Sequence, residues 1–157
     1  MIKKFILFLF MFFYLTNCGY YPMFSDMKNS DFAITNLEIK GDSQINNIIK
    51  IRLNKYLKNN SDRKYKVNIK TSLDKLSAAK DATGKTTNLK LVIKLDLTFV
   101  EDNIDKTNTK KNILFSETIT VKKNENNYEQ NNYEKIVIQN ISETLLKKMI
   151  LYLAEVK

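Results

Sequence analysis

Residues 88–100 read NLKLVIKLDLTFV, and this stretch decides the fold. Leu89, Leu91, Ile93, Leu95, Leu97 and Phe99 share one parity, while Lys90, Val92, Lys94, Asp96, Thr98 and Val100 share the other. Successive strand side chains point to opposite faces, so this pattern predicts a strand with one face in a core and one outside it. One-sided burial favours antiparallel pairing. An extended segment of this length spans roughly 43 Å, long for a globular domain.

The same period recurs on both sides. Tyr65, Val67, Ile69, Thr71 and Leu73 alternate with Lys66, Asn68, Lys70 and Ser72; Ile113, Phe115, Ile119 and Val121 alternate with mostly polar residues. A fourth strand is expected at Asp31–Ile39, where the apolar phase slips between Ile34 and Leu37, as a bulge would cause. Gly41 and Asp42-Ser43 supply a stop and a helix cap, and Ile45, Ile48, Ile49, Leu53, Tyr56 and Leu57 then recur at helical spacing, predicting a helix over 43–59. Lys122–Asn132 reads as a mobile loop or helix lead-in. A second helix follows at Tyr133–Val156, with Tyr133, Val137, Ile141, Leu145, Met149 and Tyr152 on one stripe. Its second half, LLKKMILYL, is apolar on nearly every side, which suggests that Leu146 and Ile150 need a partner to cover them.

The order strand, helix, three strands, helix gives an α+β fold, a two-layer sandwich. A four-stranded, mostly antiparallel (mixed) sheet carries two helices on one face, with the first helix as a crossover between two parallel strands.

The amino end has a different character. Lys3 and Lys4 precede an apolar run from Phe5 to Leu15, too short to span a bilayer, and Leu15-Thr16-Asn17-Cys18-Gly19 follows. This is the layout of a secretory signal peptide, with the one cysteine of the chain at the cleavage site. We read residues 1–17 as a lipoprotein signal peptide, Cys18 as the acylated residue, 18–30 as a lipid-anchored tether and 31–157 as a single α+β domain. Asn17 departs from the small residue usual before such a cysteine. Gly19 in place of an acidic residue favours the outer membrane, on its periplasmic side. Stable anchoring needs more than one acyl chain.

The 157-residue chain carries a formal charge of +9, almost all of it from lysine, since only Arg52 and Arg63 are arginines. With asparagine and isoleucine also abundant, the lysine bias reads as that of an AT-rich genome more than as a selected basic patch; in an exported protein, anionic lipid or lipopolysaccharide (LPS) is favoured over nucleic acid as partner. There is no histidine and no second cysteine, which excludes a histidine general base, a histidine metal site and an internal disulfide. Residues 79–86, AKDATGKT, fit a relaxed phosphate-loop spacing with Ala79 in place of the first glycine. Such a loop requires a helix starting at its Lys-Thr. Here Lys85-Thr86 runs into period-two alternation, so the stretch is read as a turn in which Gly84 supplies the unusual backbone angle. No nucleophile or paired-carboxylate spacing appears. The expectation is a protein that is not an enzyme and needs no cofactor or metal.

Cys18-Gly19-Tyr20-Tyr21-Pro22-Met23-Phe24 resembles the Cys-Gly-aromatic-x-Pro-Leu-aromatic opening of the LPS-assembly lipoprotein family (LptE), particularly its alphaproteobacterial branch. The order and lengths of the remaining segments fit it too. The resemblance implies a plug within a large outer-membrane β-barrel of the LptD type, which helps that barrel assemble and deliver LPS to the outer leaflet. Of defined functional residues it carries over only Cys18. An auxiliary lipoprotein of an ABC-type lipid transport system is the alternative.

The even parity of the strands places Lys66, Lys70, Lys90, Lys94 and Lys122 on the sheet face away from the helices, among Asn68, Ser116, Thr118 and Thr120. These lysines are the candidate ligands for LPS phosphates. The competing reading is a plain solvated sheet face.

Overall fold

The computed structural model describes residues 32–58, 60–102 and 109–156. The elements are β1 (Phe32–Gly41), α1 (Ser43–Leu57), β2 (Arg63–Lys80), β3 (Thr86–Glu101), β4 (Lys111–Lys122) and α2 (Asn127–Glu155). The sheet order is β1-β2-β3-β4, with β1 parallel to β2 and the other pairs antiparallel. The fold is therefore the expected α+β sandwich with a mixed four-stranded sheet. Among the described residues no helix is long and apolar enough to cross a membrane. Cys18 and the residues before β1 lie outside the described residues.

The core is built on the odd parity. Leu91, Ile93, Leu95, Leu97 and Phe99 of β3 and Tyr65, Val67 and Ile69 of β2 are all buried, against Ile45, Ile49, Leu53 and Tyr56 of α1 and a long stripe of α2. Aromatic rings close one end: Phe32 stacks on Tyr56 at 4.8 Å, and Phe99 meets Tyr65 and Tyr152 edge-on at 5.5 and 6.0 Å. Offset and edge contacts of this kind add to the area term. At the same end Arg63 donates to the carbonyls of Leu153, Ala154 and Val156. It satisfies the orphan carbonyls of α2 and places a cation at the negative end of the helix dipole.

The phase slip in β1 is a bulge. Ile34 pairs with Tyr65 and Asn36 with Lys66, which leaves Thr35 unpaired between them. The Thr35 hydroxyl contacts the Tyr65 carbonyl and Asp102, so the extra residue is tied to its neighbour strand and loop. The bulge lets Ile34 and Leu37, three apart, both face the helices. Gly41 then ends β1 at φ +115°; a Cβ there would lie 2.0 Å from the Thr71 carbonyl oxygen. Asp42 caps α1 by accepting from the Ile45 amide at 3.0 Å.

Several expectations are corrected. β2 continues to Lys80, seven residues past Leu73, because β3 pairs with it that far although β1 has ended. α2 begins at Asn127, where the Asn126 side chain accepts from the Tyr128 and Glu129 amides, and Tyr133 is 50% exposed rather than on the core stripe. Leu57, assigned to the α1 stripe, is also exposed. Most consequentially, Leu146 and Ile150 are 2% and 6% exposed, so they need no outside partner. The wide apolar surface of α2 packs against α1 as well as β3 and β4. Only Leu151 in that segment is left out.

Candidate functional site

The even face of the sheet carries the five predicted lysines, but the register divides them. Lys66 is held at 2.9 Å by Asp102 and Lys94 at 3.5 Å by Asp74. Lys70 stands directly opposite Asp96. Lys40, from β1, is paired with Glu38 at 2.6 Å. The middle of the face is thus a mixed-charge surface whose exposed pairs are each worth about 0–1 kcal/mol. Lys66 also holds the Asp102 carboxyl below its ordinary range, helped by the Thr35 hydroxyl.

Lys90 and Lys122 differ. Lys90 pairs with Thr120 and Lys122 with Asn88, so the two lysines sit diagonally on adjacent strands at one end of the sheet. Such diagonal neighbours are about 7–8 Å apart. Neither forms an ion pair among the described residues. Hydroxyls of Thr118 and Thr120 lie beside them on β4.

Around this end an open cavity of about 820 Å³ lies between the β2–β3 turn, the end of β4 and the first turns of α2. Lys85, Lys122, Lys123, Thr87 and Tyr133 line it, with Asp81 and Glu125 as the acids. Lys122 and Lys123 are consecutive, so they straddle the end of the sheet. The turn is held rigid by Asp81, whose Oδ1 accepts from the Thr83 amide and hydroxyl and the Lys85 amide at 2.9, 2.6 and 3.0 Å. Those bonds, the Thr83 hydroxyl foremost, keep the Asp81 carboxyl below its ordinary value. Gly84 sits at φ +83°. Lys85 and Thr86 then enter β3, so no helix follows to make a phosphate loop. Lys85 itself reaches Glu125 at 3.3 Å.

The α2 side of the cavity is fixed by a polar chain. Glu134, buried, accepts from Lys75 Nζ at 2.6 Å and from Gln130 Nε2 at 2.6 Å, and Gln130 Oε1 accepts from the Asn124 amide at 2.6 Å. Burial alone would raise the Glu134 carboxyl, but the Lys75 and Gln130 donors outweigh it and hold the carboxyl below its ordinary value. The chain joins the extension of β2 to the amino end of α2.

Lys85, Lys123 and Tyr133 were not among the sequence-derived ligands. Lys85 was legible only as part of the false phosphate loop, and Lys123 follows the last alternating residue. Together with Lys90 and Lys122 these groups offer ammonium and hydroxyl donors to an anion. Among the described residues no cluster of acids, cysteines or histidines suits a metal ion.

Neither a protein-family model nor a curated protein sequence matches the chain. Solved structures do. Rare lipoprotein B from Shewanella oneidensis superposes with a TM-score of 0.51 at 8% identity, over 73% of this chain and 92% of that one. A protein described as a lipoprotein from Caulobacter crescentus gives 0.45 at 10% identity, over 75% and 87%. A minor lipoprotein from Acinetobacter baumannii gives 0.47 at 12%, over 79% and 93%. These three are bacterial lipoproteins, and at such identities the likeness is one of fold.

Proposed function

We propose that the chain is an outer-membrane lipoprotein, acylated at Cys18 and held on the periplasmic side, that supports an LptD-type β-barrel in LPS assembly. In this reading it is not an enzyme and uses no cofactor. It offers LPS phosphates the basic end of its sheet. The signal-peptide layout around Cys18, the resemblance of residues 18–24 and a fold shared with rare lipoprotein B support the first part. The observation that carries the second is the pair Lys90 and Lys122, in no ion pair among the described residues and beside a basic cavity, whereas Lys66 and Lys94 are engaged by Asp102 and Asp74. Ammonium groups bind phosphate as point charges, and neighbouring hydroxyls add directed hydrogen bonds.

The test compares two charge reversals in the full chain in detergent, measured for binding to purified LPS across a salt series. Lys90→Glu with Lys122→Glu is expected to weaken binding tenfold or more, about 1.4 kcal/mol, and to flatten its salt dependence. Lys66→Glu with Lys94→Glu is expected to do markedly less. Equal binding by a folded Lys90/Lys122 variant overturns the site. Affinity purification in mild detergent tests the partner. A large barrel protein is expected, and an inner-membrane ABC-type lipid transporter in its place would install the alternative. Mass spectrometry of the membrane form is expected to find lipid at Cys18; an unmodified cysteine behind an uncut apolar segment overturns the anchor.

A further inference from the structure

The two helices show different outer faces. α2 carries Glu129, Glu143 and Glu155 among its lysines. α1 contains no acid at all. Lys50, Lys55 and the capping Lys58 are exposed, as are Asn47 and Asn54 and the aliphatic Ile51 and Leu57, the last two at 67% and 42%. At about 100° per residue these positions share roughly 160° of arc, on the side opposite the buried Ile45, Ile49, Leu53 and Tyr56.

The cations of this face are unevenly engaged. Arg52, at its flank, is taken by Glu143 of α2 at 2.7 Å. Lys50, Lys55 and Lys58 form no ion pair among the described residues; Lys55 lies over the Tyr56 ring, 4.7 Å from its centroid. The chain-wide lysine bias does not account for a face without acids, since the sheet and α2 carry that bias with acids interspersed. Toward β1, Ile51 and Leu57 line an open groove of about 550 Å³ together with Leu37 and Ile39. Aliphatic side chains thus stand exposed among ammonium groups.

We propose that the outer face of α1 is a membrane-contact surface that rests the domain on the anionic phospholipid leaflet holding its anchor. The lysines are attracted to lipid phosphates, and Ile51 and Leu57 enter the headgroup layer. The composition argues for lipid over protein. Protein interfaces are enriched in aromatic residues, methionine and arginine and depleted in lysine. Here the one aromatic residue of α1, Tyr56, is buried, and its one arginine is engaged by α2. The point of attachment agrees. Phe32, where β1 begins, stacks on Tyr56, so the chain enters the domain beside the last turn of α1. The segment from Cys18 to Phe32 reaches at most about 50 Å. Over so short a tether the leaflet is at high effective concentration, and a weak patch is sufficient. The inference rests on the reading of Cys18 as the lipid anchor, and on neither the barrel nor the LPS site.

The test uses the full acylated chain, reconstituted through its own anchor into vesicles. Acylation consumes the Cys18 thiol, so Ile51→Cys supplies a single site for the environment-sensitive dye NBD, and Thr118→Cys on the far face of the sheet is the control. The vesicles are phosphatidylcholine alone, or with roughly a third of phosphatidylglycerol. In the mixed vesicles, emission from position 51 is expected to roughly double, to be quenched by headgroup-level doxyl lipid, and to return to its aqueous value in about 1 M salt. It stays low on phosphatidylcholine, and position 118 does not respond. Lys50→Glu with Lys58→Glu is expected to abolish the signal at 51 while the anchored chain still sediments with the vesicles. An attached chain silent at position 51, an equal signal on both vesicle types, or an equal signal at position 118 would each overturn the proposal. A dye shielded in native membranes but silent in the vesicles installs a protein partner in place of lipid. If the double reversal fails to fold, the salt series on the Ile51→Cys chain decides. A chain that does not attach to vesicles overturns the anchor and this inference together; an attached chain silent at 51 overturns this inference alone.

Discussion

β2 passes through two environments. From Tyr65 to Thr71 every second residue is buried; from Asp74 to Lys80 all are exposed. Both halves pair with β3, so strand pairing does not by itself create a core. The first half lies between β1 and β3 and under the helices, with the aromatic cluster and Arg63 closing its end. The second half lies beside β3 alone, with the polar chain through Lys75 and Glu134 as its link to α2. Burial stabilises at roughly 25 cal/mol per Å² only where something covers the face. The covered half therefore carries stability, and the uncovered half is left for polar groups and turns.

The sharpest way to break this contrast is a pair of truncations. Phe99→Ala empties the aromatic cluster and is expected to cost about 3–5 kcal/mol in chemical denaturation. Leu76→Ala, at a side chain 52% exposed on the overhang, is expected to stay within about 0.5 kcal/mol. A comparable loss from both would mean that the overhang is covered in solution.

The two positive-φ glycines make a second pair. Gly41→Ala forces a Cβ onto the Thr71 backbone, so roughly 3 kcal/mol or more is expected from overlap and left-handed strain together. Gly84→Ala meets nothing within 4 Å and is expected to cost only the conformational part, about 1–2 kcal/mol. Thermal melts of the two variants measure the difference.

Arg63→Met keeps the aliphatic stem but leaves the last carbonyls of α2 without their donor. A loss of about 1.5–3 kcal/mol is expected, with faster hydrogen exchange in the last turn of α2.

The smallest effect belongs to the overhang. The Glu134 carboxyl is depressed below its ordinary 4.5 in the folded state. Its contribution is therefore fully present above 4.5 and is lost as pH falls through the folded value. Glu134→Gln is expected to remove about 1 kcal/mol at neutral pH and to flatten that part of the acid limb. An acid limb identical to that of the parent chain would show that Lys75 and Glu134 do not hold the overhang to α2.

Much of this fold is legible in the residues. The alternation of β3, the phase slip at Ile34–Leu37, the Asp42 cap and the turn at Gly84 each have a local cause, and each appears in the structure where that cause puts it. Over residues 74–80 the alternation fades into Ser77-Ala78-Ala79, and only the pairing partner β3 keeps them extended. Tyr133 was misplaced because a helical stripe says which residues share a face but not where the sheet beneath it ends. For Leu146 and Ile150 the residues leave an outside partner and a neighbouring helix both open, because a sequence does not show that two helices lie side by side; the structure supplies the helix.

The candidate site divides in the same way. Parity alone put Lys66, Lys70, Lys90, Lys94 and Lys122 on one face, because a strand of period two admits no other arrangement. Register decided which of them form ion pairs among the described residues, by bringing Asp74 and Asp102 to Lys94 and Lys66 and placing Leu76 and Thr120 opposite Lys90 and Asn88 opposite Lys122. Pairing between strands is a long-range choice, set by the bulge, the turn and the fit of the core rather than by any neighbour in the chain. The sequence by itself determined the elements, their faces and the charge they carry. Only the tertiary structure decided which charges meet.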